Sequence, residues 1–198
     1  MVTDRDTRIS RLERLYGLLD IETLTHAEFK DCEPNAAVKV LSRLVKRELM
    51  SRHQLFGRRK YYRSGPPLGP QTLRSAFAIM RFCVLTSRPK LSAEDLAGKC
   101  PFISTSSLSF AADGNGIKAL RVDQGGDADA LVRKLRDQHQ ALYCHDQYRA
   151  LIAGSQFSAS ILTYSEDKAR EIQRYVKGWS NPAYPISAVV VPDLIQLL

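Results

Sequence analysis

A stretch rich in proline and glycine interrupts the chain at residues 64–70, which read Ser-Gly-Pro-Pro-Leu-Gly-Pro. Proline lacks the backbone N–H that helices and sheets need, so this stretch can continue neither kind of element. A chain of 198 residues is long enough for two small domains. The sequence therefore predicts a mixed α/β (α+β) protein with a first domain over residues 1–65, a linker over residues 66–70 and a second domain over residues 71–198.

The predicted first domain shows helical periodicity followed by a hairpin pattern. Apolar residues recur at three- and four-residue spacing in its helices. Thr25 is expected to cap the second helix, with Glu28 completing a capping box, and Pro34 is expected to begin the third. The predicted elements are helices over residues 7–19, 25–31 and 34–48, then strands over residues 49–55 and 60–63. Three helices followed by a hairpin predict a winged helix-turn-helix over residues 8–63.

Positive charge is concentrated in the same part of the chain. The whole chain has a net charge of +8, and residues 43–63 alone carry eight basic residues and one acidic residue, a net charge of +7. The third helix of such a domain enters the DNA major groove, and the hairpin adds a second contact. The sequence thus predicts binding to double-stranded DNA. The residues expected to contact DNA are Asn35, Lys39, Ser42, Arg43, Lys46, Arg47, Arg52, Arg58, Arg59, Lys60 and Arg63.

Different side chains suit different contacts within this set. Asn35 is suited to read adenine and Arg43 to read guanine, whereas lysine is suited to phosphate. Arg58 and Arg59, at the hairpin tip, could enter a minor groove or hold phosphates. The alternative interpretation is a solvated basic face that contacts another protein.

The predicted second domain begins with a helix over residues 71–85, after which the element order is α-β-β-α-β-α-β. Asp113-Gly114-Asn115 is a hairpin signal. Ser92 and Ser165 are expected to cap helices, and a further strand is conceivable over residues 150–153. The predicted elements are helices over residues 71–85, 92–98, 127–148 and 165–177, and strands over residues 106–112, 116–123, 157–164 and 186–191.

Two short segments carry a resemblance to a known family. They are Ser-Phe-Ala-Ala-Asp at residues 109–113 and Ala-Leu-Arg-Val-Asp-Gln-Gly at residues 119–125, followed by a helix with Leu131, Lys134 and Leu135. In this order they resemble the replication-relaxation family of plasmids and other mobile elements. The resemblance covers most of the chain by element order. It implies a winged helix followed by a restriction-endonuclease-like domain of the PD-(D/E)xK type.

Nucleases of that type hold a divalent cation between two acidic groups and a lysine. Asp113 matches the first acid by position, but Arg121-Val122-Asp123 stands where an acid, a spacer and a lysine are needed. A cation at Arg121 would repel the metal. We therefore expect no catalytic residues, no metal site and no enzyme activity. If the domain were active, Asp113 and Asp123 would be the metal ligands; otherwise Asp113 is a turn residue and Asp123 a strand-end cap.

These observations predict a sequence-specific transcriptional regulator, acting as a homodimer, whose second domain dimerises or senses a protein or small-molecule effector. The alternatives are a metal-dependent endonuclease and a plasmid replication or mobilisation accessory protein. No cofactor is expected, because Cys32, Cys83, Cys100 and Cys144 lack zinc-site spacing. The charged N-terminus and the lack of a long apolar run predict a cytoplasmic location and no membrane partner.

Overall fold

The computed structural model shows a mixed α/β protein with eight α-helices and two β-sheets in its described part. The described residues are 3–33, 35–101, 108–180 and 182–198. Contacts divide the chain into two compact units, of which the first runs to Ser87 and the second begins at Arg88. Within the described residues, no helix is long and apolar enough to cross a membrane.

The first unit combines helices with a small antiparallel sheet. Its elements, in chain order, are α1 (Asp4–Tyr16), β1 (Leu19–Asp20), α2 (Ile21–Glu28), α3 (Ala36–Lys46), β2 (Ser51–Gln54), β3 (Lys60–Arg63) and α4 (Pro70–Leu85). The strand order is β1-β3-β2. The buried apolar side chains include Ile9, Leu24, Leu41, Tyr61 and Phe77, one from each of five elements. Helices and sheet therefore share one core.

Capping side chains determine where α1 and α2 begin. Thr3 caps α1: its hydroxyl accepts from the Asp6 N–H at 3.2 Å, and the Asp6 carboxylate accepts from the Thr3 N–H at 3.1 Å. Asp20 caps α2 by accepting from the Thr23 N–H at 2.8 Å. The predicted cap at Thr25 is wrong, because Thr25 lies inside the helix and its hydroxyl donates to the Ile21 carbonyl.

Two other boundaries in this unit differ from the prediction. α3 ends at Lys46 rather than near Glu48, whose positive φ of 58° is incompatible with continuing the helix. Strand β2 is shorter than residues 49–55. The return strand Lys60–Arg63 is confirmed. The predicted start of the third helix at Pro34 lies outside the described residues.

The predicted domain boundary requires correction. Helix α4 packs against α1 and α2 and belongs to the first unit, so the division falls after Ser87 and not over residues 66–70. The proline-rich stretch is a packed connection: the Leu68 N–H donates to the Tyr61 hydroxyl at 2.8 Å, and Pro70 occupies the first turn of α4. These helix breakers therefore separate strand β3 from helix α4 and do not separate two domains.

The second unit is built on a four-stranded mixed sheet. Its elements are α5 (Ala93–Lys99), β4 (Ser109–Asp113), β5 (Gly116–Val122), α6 (Ala128–Leu142), α7 (Asp146–Ala153), β6 (Phe157–Thr163), α8 (Glu166–Gly178) and β7 (Ile186–Val190). The strand order is β4-β5-β6-β7, with β4 antiparallel to β5 and the other neighbours parallel. Helices α6, α7 and α8 provide the crossovers that parallel strands require. A 3-10 helix, Leu194–Leu197, follows near the C-terminus.

Local signals in this unit are confirmed where a turn or a cap decides the structure. The β4–β5 hairpin forms, with Asp113 paired to Gly116 across a two-residue turn. Ser92 and Ser165 cap α5 and α8. The single helix predicted over residues 127–148 is instead two helices, because His145 adopts an extended conformation between them. The additional strand over residues 150–153 is wrong, since these residues belong to α7.

Candidate nucleic-acid interface

Helix α3 has two chemically different faces. The buried face carries Ala37, Leu41 and Leu44, and the exposed face carries Lys39, Ser42 and Lys46. Both sets repeat at three- and four-residue spacing, which places each on one side of a helix. The apolar face anchors α3 in the first unit, so the polar face is left available to a partner.

The hairpin formed by β2 and β3 presents further polar groups beside this helix. Arg52 pairs with Tyr62, and Gln54 pairs with Lys60, so these four side chains share one face of the hairpin. The Lys60 ammonium donates to the Gln54 side-chain carbonyl. Arg63 pairs with Ser51 and lies on the opposite face. The register therefore separates Arg63 from the other predicted contacts on the strands.

An open groove of about 530 Å³ joins helix and hairpin. It is lined by Lys39, Ser42, Arg43, Val45, Lys46, Arg52 and Tyr62. Four of these side chains are cationic and none is acidic. Lys39 makes a salt bridge of 2.9 Å with Glu33, and both side chains are well exposed. Among the described residues, no ion pair neutralises Lys46 or Arg52. The groove is therefore a site of positive potential that suits an anionic ligand.

Arg43 has a structural partner as well as a place in this groove. Its guanidinium donates to the carboxylate of Asp6 in α1, which is 1% exposed, whereas the Arg43 side chain is 40% exposed. Burial alone would raise the pKa of Asp6, but hydrogen bonds from Thr3 and Arg43 outweigh it, and the pKa is lowered. Arg43 thus ties α3 to α1 while part of its surface faces the groove.

The two arginines at the hairpin tip are in different environments. Arg58 is exposed, and no ion pair holds it within the described residues. The Arg59 guanidinium donates to Glu22 of α2 and lies over the Phe56 ring at 5.4 Å. Glu22 also accepts from the buried Arg81 at 2.8 Å. Arg58 is therefore available to solvent, whereas Arg59 is drawn back towards α2.

The remaining predicted contact residues lie at the ends of α3. Asn35 is exposed at the position before the first helical residue, and its side chain makes no capping hydrogen bond. Arg47 is exposed at the other end, directly after Lys46. Asn35 thus directly precedes the helix that carries five of the seven groove residues. Its amide is presented at the N-terminal end, which in a recognition helix faces the bases.

The acidic residues singled out in the second unit do not converge. Asp113 accepts from Arg88 at 2.8 Å and from the Ser158 hydroxyl at 2.9 Å, and its carboxylate lies 3.0 Å from the Lys118 ammonium. Burial alone would raise the pKa of Asp113, but these groups lower it. A lysine does approach Asp113, but it is Lys118 and not the residue at position 123.

Asp123 lies at the other end of β5. It is fully buried, and its carboxylate accepts from the Thr163 hydroxyl and the Gly125 N–H, both at 2.9 Å. Because the Asp113 carboxylate contacts Ser158 and the Asp123 carboxylate contacts Thr163, five residues further along β6, the two carboxylates are roughly 16 Å apart at about 3.3 Å per residue. They cannot ligate one metal ion. The described residues contain no cluster of His, Cys, Asp or Glu that could hold one.

Sequence reasoning missed the partners and the apolar lining of the groove. Asp6 and Glu22 each lie 37 residues from the arginine they bind, so no local pattern reveals them. Val45 and Tyr62 line the groove but have no charge that would mark them. Comparisons with protein-family models, curated proteins and solved structures find no match for this chain.

Proposed function

We propose that the first unit is a winged helix-turn-helix that binds double-stranded DNA, and that the protein is a sequence-specific transcriptional regulator acting as a dimer. In this proposal α2 and α3 are the helix-turn-helix, α3 enters the major groove, and the β2–β3 hairpin is the wing. The element order and the strand order β1-β3-β2 support this assignment. Because the sequence resembles the replication-relaxation family, we further propose that the protein regulates genes of a plasmid or other mobile element.

The observation that carries the proposal is the acid-free groove between helix and hairpin. Four cations from two different elements line this one groove. Three belong to α3 and one to β2: Lys39, Arg43, Lys46 and Arg52. Two of them, Lys46 and Arg52, have no internal counter-charge among the described residues. DNA phosphates would supply that counter-charge, and their neutralisation would release bound counterions.

Base reading in this proposal belongs to the N-terminal half of α3. Asn35 and Lys39 are exposed there, followed by Ser42 about two turns from the helix start. The Asn35 amide and the Ser42 hydroxyl match donor and acceptor patterns of base edges in the major groove, whereas the Lys39 ammonium suits a neighbouring phosphate. In this proposal Lys46 and Arg52 bind phosphates of the DNA backbone. These contacts position α3 in the groove but do not distinguish one base sequence from another. Arg58 extends the backbone contact along the wing.

A metal-dependent endonuclease is the less favoured function. Its two candidate ligands lie at opposite ends of β5, and Asp113 is engaged by Arg88 and Lys118. A shared cation needs both carboxylates within about 2–3 Å of one point. The geometry of Asp113 and Asp123 therefore supports structural roles in the β-hairpin and at the end of β5.

The test is a binding experiment with a matched pair of variants. We expect the full chain to select a defined duplex from a random pool. Lys46→Ala with Arg52→Ala is expected to weaken binding and to flatten the dependence of log K on log salt by about two units, one per lost phosphate contact. The control is Arg11→Ala with Arg14→Ala, which removes the same charge from exposed positions of α1 outside the groove. Equal effects of both pairs would show that net charge, and not the groove, governs binding.

The proposal that the protein binds DNA as a dimer is tested by a separate measurement. Two copies bound to one duplex require two half-sites about one helical turn, roughly 34–36 Å, apart. We expect the selected sequence to be an inverted repeat with that spacing. Sedimentation of the protein with this duplex should give two chains per DNA. A single half-site bound by one chain would contradict the dimer and leave the DNA-binding assignment intact.

A further inference from the structure

Helices α6 and α8 of the second unit pack side by side and carry a second basic surface. Arg133 and Arg136 lie on exposed positions of α6, three residues apart. Arg170, Arg174 and Lys177 lie on exposed positions of α8 at four- and three-residue spacing. Each set therefore occupies one side of its helix. We call these five side chains the α6–α8 surface.

Two neighbouring grooves show that this surface is continuous. One, of about 180 Å³, runs between the helices and is lined by Arg133, Arg136 and Arg174 together with Tyr175 and Trp179. The other, of about 510 Å³, opens along α8 and is lined by Arg170, Arg174 and Lys177. Arg174 borders both grooves. The basic side chains thus form one connected surface with an aromatic wall on one side.

The charges of this surface are only partly balanced. Asp129 lies 3.8 Å from the Arg133 guanidinium, and Asp167 accepts from Arg170. In the part of the chain that the structure describes, no ion pair engages Arg136, Arg174 or Lys177. The two acids that line the grooves leave a net charge of +3 on the surface. Unbalanced like charges held together on a rigid pair of helices favour a polyanionic ligand.

The geometry favours a phosphodiester backbone as that ligand. Four of the five cations are arginines, whose planar guanidinium donates two parallel hydrogen bonds to a phosphate. Arg170 and Lys177 are separated by about 10 Å along α8, at about 1.5 Å per residue. Each DNA strand carries one phosphate per about 3.4 Å of helix axis. The cations of α8 therefore span a length that corresponds to about three phosphates of one DNA strand.

We infer that the α6–α8 surface is a second nucleic-acid contact, in which Arg136, Arg174 and Lys177 bind DNA phosphates independently of sequence. This contact belongs to the second unit alone and does not rest on the DNA-binding function proposed for the first. It adds affinity and salt dependence and does not discriminate between sequences. The second unit is then a participant in DNA binding as well as a candidate for dimerisation.

The experiment uses the full chain and a random-sequence duplex. Arg136→Ala with Arg174→Ala should lower the slope of log K against log salt by about two units, since each phosphate contact contributes about 0.9. The matched control, Arg11→Ala with Lys134→Ala, removes the same charge from exposed positions outside both grooves and should leave the slope unchanged. Lys134 is a close control for Arg136, because it lies on α6 only two residues earlier but on the other side of the helix. A difference between the two variants therefore depends on where the charge lies and not on how many charges are removed.

Other outcomes separate this inference from the proposed function. If Lys46→Ala with Arg52→Ala leaves DNA binding intact and Arg136→Ala with Arg174→Ala removes it, the second contact stands and the groove assignment fails. An unchanged slope in Arg136→Ala with Arg174→Ala, in a chain that binds DNA, overturns the inference. Polyglutamate binding that is lost in this variant, with DNA binding unaffected, also overturns it and assigns the surface to an acidic protein.

Discussion

At the scale of single residues, Arg43 combines a structural contact with a place in the proposed interface. Its guanidinium satisfies the buried Asp6 carboxylate, and the same side chain lines the groove. A buried carboxylate that loses its hydrogen-bonding partner is destabilised, because it has already left water. Lys46, one turn further along α3, lines the groove without any such ion pair among the described residues.

We predict that Arg43→Ala lowers both DNA affinity and the stability of the first unit, the latter by about 1 kcal/mol given that Arg43 is partly exposed. Lys46→Ala should lower affinity alone. Thermal unfolding and DNA titration of the two variants test this contrast. A loss of affinity without any loss of stability in Arg43→Ala would show that the Asp6 contact contributes nothing to folding.

His139 is the second residue with a measurable consequence. Its Nδ1 lies 3.1 Å from the Tyr148 hydroxyl, and its ring packs near those of Tyr143, Trp179 and Tyr184. Burial lowers the pKa of His139 below 6.5. Burial also raises the pKa of Tyr148 above its ordinary value of 10.0 and that of Tyr184 to about 12, so both stay neutral near neutral pH. Protonation of His139 therefore brings a positive charge into this cluster as the pH falls.

We predict that the second unit loses stability as the pH falls below 6.5. The folded state binds the His139 proton more weakly than the unfolded state does, so protonation favours unfolding below the unfolded-state pKa. The stabilising difference is present above pH 6.5 and lost as the pH falls towards the lowered pKa. Urea unfolding at a series of pH values measures it. His139→Gln should flatten the dependence; an equally steep dependence in that variant would assign it to other groups.

At the scale of elements, the β4–β5 hairpin is held against the chain segment before β6. The Ile117 N–H donates to the Gln156 carbonyl at 2.8 Å. A Cβ added at Gly116 would lie 2.3 Å from that same carbonyl oxygen, which is far inside van der Waals contact. The close approach of two backbones explains why residue 116 carries no side chain.

We predict that Gly116→Ala destabilises the second unit by about 1–3 kcal/mol, because the backbone of β5 or of Gln156 must move. Gly98→Ala is the control: Gly98 lies in helix α5 with open space around it, so alanine there should be neutral or stabilise the helix by about 0.5 kcal/mol. Chemical unfolding of both variants measures the change in stability. A loss in Gly116→Ala alone supports the close approach of the two backbones, whereas a similar loss in both variants would indicate a general effect of replacing glycine.

At the scale of the whole molecule, each unit has a core of its own. The core of the second unit gathers side chains from its helices and its sheet, including Phe110, Ile161 and Ile172. Trp179 packs against this core and is the only tryptophan of the chain. Its fluorescence therefore reports on the second unit, whereas circular dichroism reports on the helices of both.

We predict that fluorescence and circular dichroism give different unfolding transitions, because two separate cores need not unfold together. Gly116→Ala should shift the fluorescence transition, and Arg43→Ala should shift the circular dichroism signal while leaving the fluorescence transition in place. Coincident transitions that move together in both variants would show that the two units unfold cooperatively.

Local chemistry determined a definite part of this protein. The β4–β5 turn, the caps at Ser92 and Ser165, and the return strand Lys60–Arg63 follow from residues within a few positions of one another. Such features depend on backbone geometry and short-range hydrogen bonds, which can be predicted from a few neighbouring residues. The concentration of charge between residues 43 and 63 is also a property of the sequence alone.

Tertiary structure decided the rest. It assigned α4 to the first unit, since the packing of a helix depends on which apolar faces meet and not on the proline-rich segment before it. It placed Arg43 against Asp6 and Arg59 against Glu22, in each case 37 residues away along the chain. These two cations of the basic segment therefore have internal acidic partners, whereas Lys46 and Arg52 have no ion pair among the described residues. It also placed Asp113 and Asp123 at opposite ends of β5. Distances between residues remote in sequence arise only when the core closes, so charge and motif could nominate the residues proposed to contact DNA but could not rank them.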